Sequence, residues 1–433
     1  MCKVKLDVFS KATIFLLALI FTVGLVTSNV ALSASEVPNT VKIGLVYPMS
    51  GPAAKTGSDY IAVYELARDI VNGKYPNIDL PFAKTGGLTN LKGAKIEFEV
   101  ADHKGSPEVG LAETERLITD KNVVAVMGAH YSAVTKTASS AAERMKIPFL
   151  CPDSTAKSLT ERGFEWFFRS GPSDATFIAD TFEFISELNK SYNAGIKSVA
   201  ILSEDTEFGS LVTELEKEEA KKGGYQVTLV ITYPANSANV VGEVIKLKNS
   251  KPDVVLMASY TSDAILFMKT FKELGFMPKA IIGQRAGFIA PEFFTSLRTI
   301  GDYVFTTNLF ALDLSKAKPM INEINGLFKK KTGSDLTGDY VRAFTGLFVM
   351  ADAINRAGST KPEDIKKALL ETNITGEKLI VPWKGIRFDP KTHQNIYATG
   401  IVTQAIGGKY FTVFPQSIAA QKVTWPIPGW DKR

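Results

Sequence analysis

The chain has 433 residues, of which 45% are hydrophobic, 22% charged and 10% aromatic. That is enough for about two to three ordinary domains, and the near-average composition excludes a disordered chain, a collagen-like polymer and a Cys-rich miniature scaffold. A formal net charge of +5 gives no reason to expect nucleic acid as a partner.

Between Ala12 and Ala34 there is no charged residue, and Lys3, Lys5 and Lys11 precede the run. This is the charge order of a secretory signal peptide, with Ala31-Leu32-Ser33-Ala34 as the small residues for cleavage. A retained anchor is the rival reading, but Thr27, Ser28 and Asn29 break the apolar run where a cleavage site would follow. The expected mature chain is therefore a soluble exported protein of about 400 residues. Of two cysteines only Cys151 would survive cleavage, which rules out an intramolecular disulfide. His103, His130 and His393 stand singly, so no metal, cofactor or His-based relay is expected.

From residue 41 onward, β-branched runs alternate with stretches of helical period, the pattern of βαβ units around parallel sheets. The spacing predicts strand Val41–Tyr47, a turn, and a helix from Ser58 to Val71. Strand Ala94–Val100 and helix Pro107–Thr119 follow, then strand Val123–Met127, a helix to Met145 and strand Phe149–Cys151. After Asp174 the rhythm restarts: helix Ala175–Leu188, strand Ser198–Leu202, helix Phe208–Lys222, strand Gln226–Ile231, helix Val240–Lys248 and strand Val254–Ala258. Helix Ser262–Leu274 and strands Ala280–Ile282 and Tyr303–Thr306 precede three helical stretches, Met320–Lys330, Gly338–Arg356 and Lys361–Glu371. Ile396–Gln404 and Tyr410–Val413 flank Gly407-Gly408 as a hairpin. Gly73 to Asn90, rich in Pro, Gly and Lys, reads as a long exposed loop.

In parallel α/β sheets a ligand lies beyond the carboxyl ends of the strands, where helix N-termini present free N–H groups. Two neighbouring turns there carry hydroxyls: Tyr131-Ser132-Ala133-Val134-Thr135 and Ser154-Thr155. A lone Ser or Thr at such a turn ordinarily caps its helix, but two adjacent turns can hold one carboxylate between them. The second set of turns offers Tyr260 and Gln284-Arg285.

VKIGLVYPMSGPAAKTG, GAHYSAVT, IPFLCPDSTAKSLTERGFEWFFRSGPSD, EDTEFG and DVVLMASYTSDA resemble, in this order, the type I periplasmic binding proteins of branched-chain amino acid ABC transporters. The resemblance runs from about residue 40 to 390. It implies two Rossmann-like α/β lobes joined by a three-crossover hinge, with residues 40–173 plus 308–388 in one and 174–307 plus 389–433 in the other. It also implies a monomeric carrier that closes on an amino acid or related small carboxylate and delivers it to a membrane permease. Ser132 matches the carboxylate-binding Ser, Thr155 the Thr after the next strand, Asp174 a cleft-edge acid and Tyr260 a Tyr of the second lobe. Thr56 stands where some members have an aromatic residue over the ligand. Asp153 occupies the place of an Ala whose carbonyl takes the ligand ammonium.

Departures from the pattern bear on specificity. Amino-acid-binding members place a Glu after the strand ending at Gly283 to pair the ammonium; here that turn reads Gln284-Arg285. An Arg repels an ammonium and holds a carboxylate, and Asp153 is then the candidate for the missing negative partner. Gly105 and Tyr131 replace the cysteines of the family disulfide.

An enzymatic alternative rests on Ser154-Thr155-Ala156-Lys157, an S-x-x-K match, with Lys331-Thr332-Gly333 downstream, in the order of penicillin-binding motifs. That chemistry needs K-T-G on a strand, and here it follows a helix end. A soluble sensor domain of the same fold is the other alternative. With no C-terminal apolar segment in view, a periplasmic carrier is the expectation, and no catalytic residue is assigned.

Overall fold

The structure, a computed structural model, describes residues 38–433; the predicted signal peptide, residues 1–34, lies outside the described residues. Two open sheets organise the rest. The first has five parallel strands in the order β2-β1-β3-β4-β5: β1 Thr40–Tyr47, β2 Lys95–Asp102, β3 Ala125–Gly128, β4 Phe149–Cys151 and β5 Phe167–Arg169. The second has seven, in the order β14-β13-β10-β9-β8-β6-β7. Its parallel part comprises β6 Ser198–Glu204, β7 Gln226–Tyr233, β8 Val254–Ala258, β9 Ala280–Gly283 and β10 Phe305–Asn308. Strands β13 Ile401–Ile406 and β14 Lys409–Phe414 add an antiparallel edge. Gly407 and Gly408, both at positive φ, make the two-residue turn between them. A short pair, β11 Ile374–Thr375 with β12 Gly385–Ile386, stands apart from both sheets.

Eleven helices are present among the described residues: α1 Ala54–Asn72, α2 Pro107–Thr119, α3 Ser132–Arg144, α4 Asp174–Tyr192, α5 Glu207–Gly223, α6 Val241–Ser250, α7 Thr261–Glu273, α8 Pro291–Leu297, α9 Met320–Thr332, α10 Gly338–Ala357 and α11 Pro362–Leu370. Their starts follow local chemistry. Ser106 Oγ accepts the Val109 N–H at 3.2 Å ahead of α2, whose first residue is Pro, and Thr206 Oγ1 accepts the Gly209 N–H at 3.2 Å ahead of α5. Helix α10 is apolar nearly all round and buried along most of its length, the signature of a helix enclosed by others. It packs on α1 and α11, which places the late helices on the five-stranded sheet although they follow the seven-stranded one in sequence. Among the described residues, no helix is long and apolar enough to cross a membrane.

Three expectations are corrected. Helix α1 begins at Ala54, four residues earlier than Ser58, so Thr56 is wound into its first turn. Strand β5 and helix α8 were not foreseen: β5 is only three residues long and ends on a charged Arg, and α8 spans two turns. Residues 73–90 are irregular but not simply exposed. Ile78, Ala83 and Leu88 are fully buried, and Tyr75 N–H donates to Ala83 O at 2.6 Å. Apolar anchors spaced through a Pro- and Gly-rich stretch pack such a loop on itself and on its neighbours.

Two connecting segments are laced together. Arg169 N–H donates to His393 O at 3.0 Å and Asn395 N–H to Arg169 O at 2.9 Å, a short parallel bridge. Side chains reinforce it: Arg169 Nε to Gln394 Oε1 at 2.5 Å, Gln394 Nε2 to Gly171 O at 2.7 Å and Asn395 Nδ2 to Ser170 O at 3.0 Å.

Candidate functional site: an arginine-lined interlobe cleft

The carboxyl ends of the two sheets face each other across a small cavity lined by His130, Ser132, Asp153, Thr155, Phe208, Tyr260, Arg285, Ala286, Asp339 and Arg342. The turns after β3 and β4 and helix α10 supply one wall; the turns after β6, β8 and β9 supply the other. Three lining residues hold positive φ without being glycine: His130 at 67°, Arg285 at 56° and Ala286 at 42°. Strained backbone of this kind persists where surrounding structure enforces it, and it concentrates at binding sites. Gly287 lets the turn after β9 press against the turn after β8, since a Cβ there would lie 2.5 Å from the Tyr260 carbonyl carbon.

Helix α3 aims its N-terminus into this cavity. Its N-cap residue, Tyr131, makes no side-chain cap, and the first turn holds no acid, so the helix N–H groups are open to an external oxygen. The Tyr260 ring faces this N-terminus from the opposite wall of the same cavity.

Arg285 crosses the cavity from the other side. Its Nη2 donates to Thr155 Oγ1 at 2.9 Å and to Asp174 Oδ1, and its guanidinium lies 4.1 Å from the Phe177 ring centroid. The side chain is almost fully buried, and Nη1 has no partner. Burial lowers its pKa to about 10, with Asp174 pulling the other way, so the cation persists at neutral pH. A second guanidinium, Arg342 on α10, donates through Nη1 to the Asp153 backbone carbonyl at 2.7 Å and through Nη2 to Asp339, and leaves Nε unpartnered. The nearby His130 imidazole is pushed down to about 3 by burial and by Arg342, so it is neutral. A buried donor without a partner is costly, and an acceptor that reaches it removes the cost. Two guanidinium groups with unpartnered nitrogens therefore stand beside an open helix N-terminus, a set of donors whose chemistry suits an anionic oxygen.

The whole chain carries the same stamp. Residues 40–409 match the sequence model of the periplasmic binding protein family. The chain belongs to that family, in its type I group. A Leu/Ile/Val-binding protein homologue from Brucella abortus is 27% identical over 92% of this chain and 98% of its own length. Another such homologue, from Brucella suis, is 29% identical over 93% and 96%. Among solved structures, the branched-chain amino acid transporter substrate-binding protein of Streptococcus pneumoniae in complex with isoleucine superposes with a TM-score of 0.72 at 21% identity, covering 86% of this chain and 97% of that one. A solute-binding protein from Rhodopseudomonas palustris in complex with benzoate gives the same TM-score at 18% identity over 86% and 95%. The type I binding-protein fold is thus shared, and the class is one of solute capture outside the cytoplasm rather than catalysis.

Within this binding protein, Ser132, Asp153, Thr155, Tyr260 and Arg285 line the cavity. Asp174 lies behind them as the partner of Arg285, and Tyr131 lines an adjoining space. Three side chains, Gln284, Ser154 and Thr56, are turned elsewhere. The Gln284 amide donates to Glu216 at 2.9 Å and Thr181 at 3.2 Å and accepts from Thr307, all away from the cleft. Ser154 Oγ sits between Thr135 at 2.6 Å and His130 O at 3.1 Å. Thr56 is buried in α1. The Asp153 carboxylate accepts from Tyr47 OH at 2.7 Å and Ser154 N–H at 2.9 Å, partners within its own side of the cavity. Lys157, the partner of Ser154 in the S-x-x-K match, is paired with Glu161 on the surface, and Lys331-Thr332-Gly333 closes α9 instead of lying on a strand. Cys151 is buried and free. Among the described residues, no three His, Cys, Asp or Glu gather as a metal site.

Sequence reasoning missed His130, Phe208, Asp339 and Arg342. The signal for Arg342 was legible: it is the one charged residue between Asp339 and Asp352, in a helical stretch otherwise apolar.

Proposed function

We propose that the chain is the extracytoplasmic substrate-binding component of an ABC importer, exported by its N-terminal segment, and that it captures a small carboxylate lacking an α-ammonium group between two closing lobes. The carboxylate docks at the α3 N-terminus with Ser132 and Thr155, and the lobe-two groups Arg285 and Tyr260 complete the site on closure. The observation that carries this reading is the double replacement of the ammonium site. Arg285 fills the turn where an acid would pair the ammonium, and Arg342 caps the Asp153 carbonyl that would accept it. Support also comes from the solved neighbours, whose ligands, isoleucine, benzoate and 3,4-dihydroxybenzoic acid, share a carboxylate and differ in the ammonium.

A thermal-shift screen over leucine, isoleucine, benzoate, aliphatic dicarboxylates and neutral amides tests the reading, since a ligand at about 100 times its Kd adds about 2.7 kcal/mol. Benzoate or a dicarboxylate is expected to raise Tm more than leucine does. Stabilisation by leucine and isoleucine alone would overturn it. Delivery to an importer further predicts neighbouring genes for permease and ATPase subunits.

A further inference from the structure

Beside the arginine-lined cavity lies a second and larger one, lined by Tyr131, Ala133, Glu204, Thr206, Phe208, Tyr260 and Asp263 with a rim that includes Pro52, Lys104 and Asn236. Phe208 and Tyr260 belong to both spaces, their ring centroids 5.6 Å apart, so the two rings stand as the partition between them. The inner space is bounded mainly by buried residues, whereas Pro52, Lys104 and Asn236 are exposed, so the outer chamber opens to solvent.

The two chambers carry different ionisable groups, guanidinium in one and carboxyl in the other. The inner one has two guanidinium groups with orphaned nitrogens. The outer one has two carboxyl groups, Glu204 and Asp263, that are almost wholly buried and enter no ion pair among the described residues; Lys104 on the rim pairs with neither. Each accepts only neutral donors: Glu204 takes the Tyr260 N–H at 3.2 Å and the Thr206 hydroxyl at 3.2 Å, and Asp263 takes the Asn236 and Ser237 N–H groups at 2.8 and 3.1 Å. Burial pushes the Glu204 carboxyl up to about 8, and Asp263 and Asp205 push the same way, so at neutral pH it holds a proton that it can pass to an arriving neutral amine, leaving a carboxylate against an ammonium. Between the two ends, Tyr131 and Tyr260 meet edge to face at 4.6 Å and offer flat apolar walls.

We infer that the ligand is bipolar. Its carboxylate is held by Arg285 in the inner chamber, and an amine-bearing apolar arm passes the Phe208–Tyr260 partition into the outer chamber, where Glu204 and Asp263 receive the amine. The arrangement inverts the α-amino acid pattern, in which carboxylate and ammonium share one carbon: here the two charges are separated by the body of the ligand. This rests on the carboxylate reading of the inner chamber given above.

Isothermal titration with matched pairs tests it: para-(aminomethyl)benzoate against para-ethylbenzoate, and ε-aminocaproate against heptanoate, with benzoate as the reference for the inner chamber alone. In each pair shape is kept and the terminal amine exchanged for a methyl. At least one amine-bearing member is expected to bind about 10-fold or more tightly than its partner, and terephthalate, which puts a carboxylate in the outer chamber, more weakly than either benzoate derivative. In Glu204→Gln, which keeps an acceptor for the Tyr260 N–H, the ratio within the pair falls below about 3-fold; Asp263→Asn gives a second reading should the first fail to fold. The ratio is taken inside one variant, so a general loss of stability does not mimic it. Equal affinities in both wild-type pairs, or a ratio that survives both substitutions, would overturn the bipolar assignment while leaving the carboxylate reading standing. Failure of benzoate and every other acid to bind would remove both.

Discussion

Arg285 is the residue whose removal says most about the cleft. Arg285→Met keeps much of the side-chain volume against Phe177 but deletes the charge, the bond to Thr155 and the free Nη1. The single change also strands the Asp174 carboxylate, which is fully buried and already has one unpartnered oxygen; breaking a buried pair in this way costs about 3–5 kcal/mol. Weakened binding in that variant alone would be ambiguous, because an unstable lobe also binds poorly. The pair Arg285→Met with Asp174→Asn removes both charges and is expected to recover most of the lost Tm. A ligand carboxylate then forgoes a charge-assisted hydrogen bond worth about 1.5–3 kcal/mol, or roughly 10- to 140-fold in Kd. Isothermal titration of wild type, single and double variant with the acid giving the largest melting shift is the assay. Affinity in the double variant within about twofold of wild type would refute the assignment of Arg285 as the anchor.

Two more expectations concern closure and pH. Lys136 on one side of the cleft and Glu207 on the other are paired at 3.1 Å, and Ser158 Oγ also reaches Glu207 at 3.2 Å. Both ion-pair partners are partly exposed, so Glu207→Ala is expected to weaken ligand binding by no more than about fivefold, with the difference fading in titrations at about 1 M salt. Burial pushes the Glu216 carboxyl up to about 8, opposed by the Gln284 amide, and its Oε2 has no partner, as suits a carboxyl that keeps its proton. An acid whose folded pKa is raised binds more protons folded than unfolded between its two values, so its contribution is lost as pH rises from about 4.5 to about 8. Denaturant midpoints across that window should fall less steeply in Glu216→Gln than in wild type; identical slopes would show that Glu216 is already ionised.

The alternation of β-branched runs with helical stretches was enough to place β1 to β4 and β6 to β10 in order, because a buried parallel strand announces itself as a short apolar run between turns. What it withheld was direction. Asp153 and Gln284 were correctly placed at turns, yet their side chains are claimed by Tyr47 and Glu216, 106 and 68 residues away in the chain, and no local pattern foretells such a partner. Arg342 was passed over for the converse reason. Its helix reads as core, and only the return of α10 to the first sheet, late in the chain, carries its guanidinium to the cleft. Strand β5 and the anchored loop at residues 73–90 fell below the threshold of periodicity altogether.

The lacing of Arg169–Gly171 to His393–Asn395 has a mechanical consequence. Independent single-chain linkers would let two lobes bend, slide and twist separately, each freedom adding open states that a ligand must abolish. Two segments bonded edge to edge behave as one ribbon, which twists readily and resists shear. The buried Arg169 side chain bolts that ribbon to Ala156 O at 2.7 Å and to Thr160 at 3.1 Å, in the same stretch of chain that carries Thr155. Lobes joined through such a ribbon would have fewer open states for a captured solute to abolish.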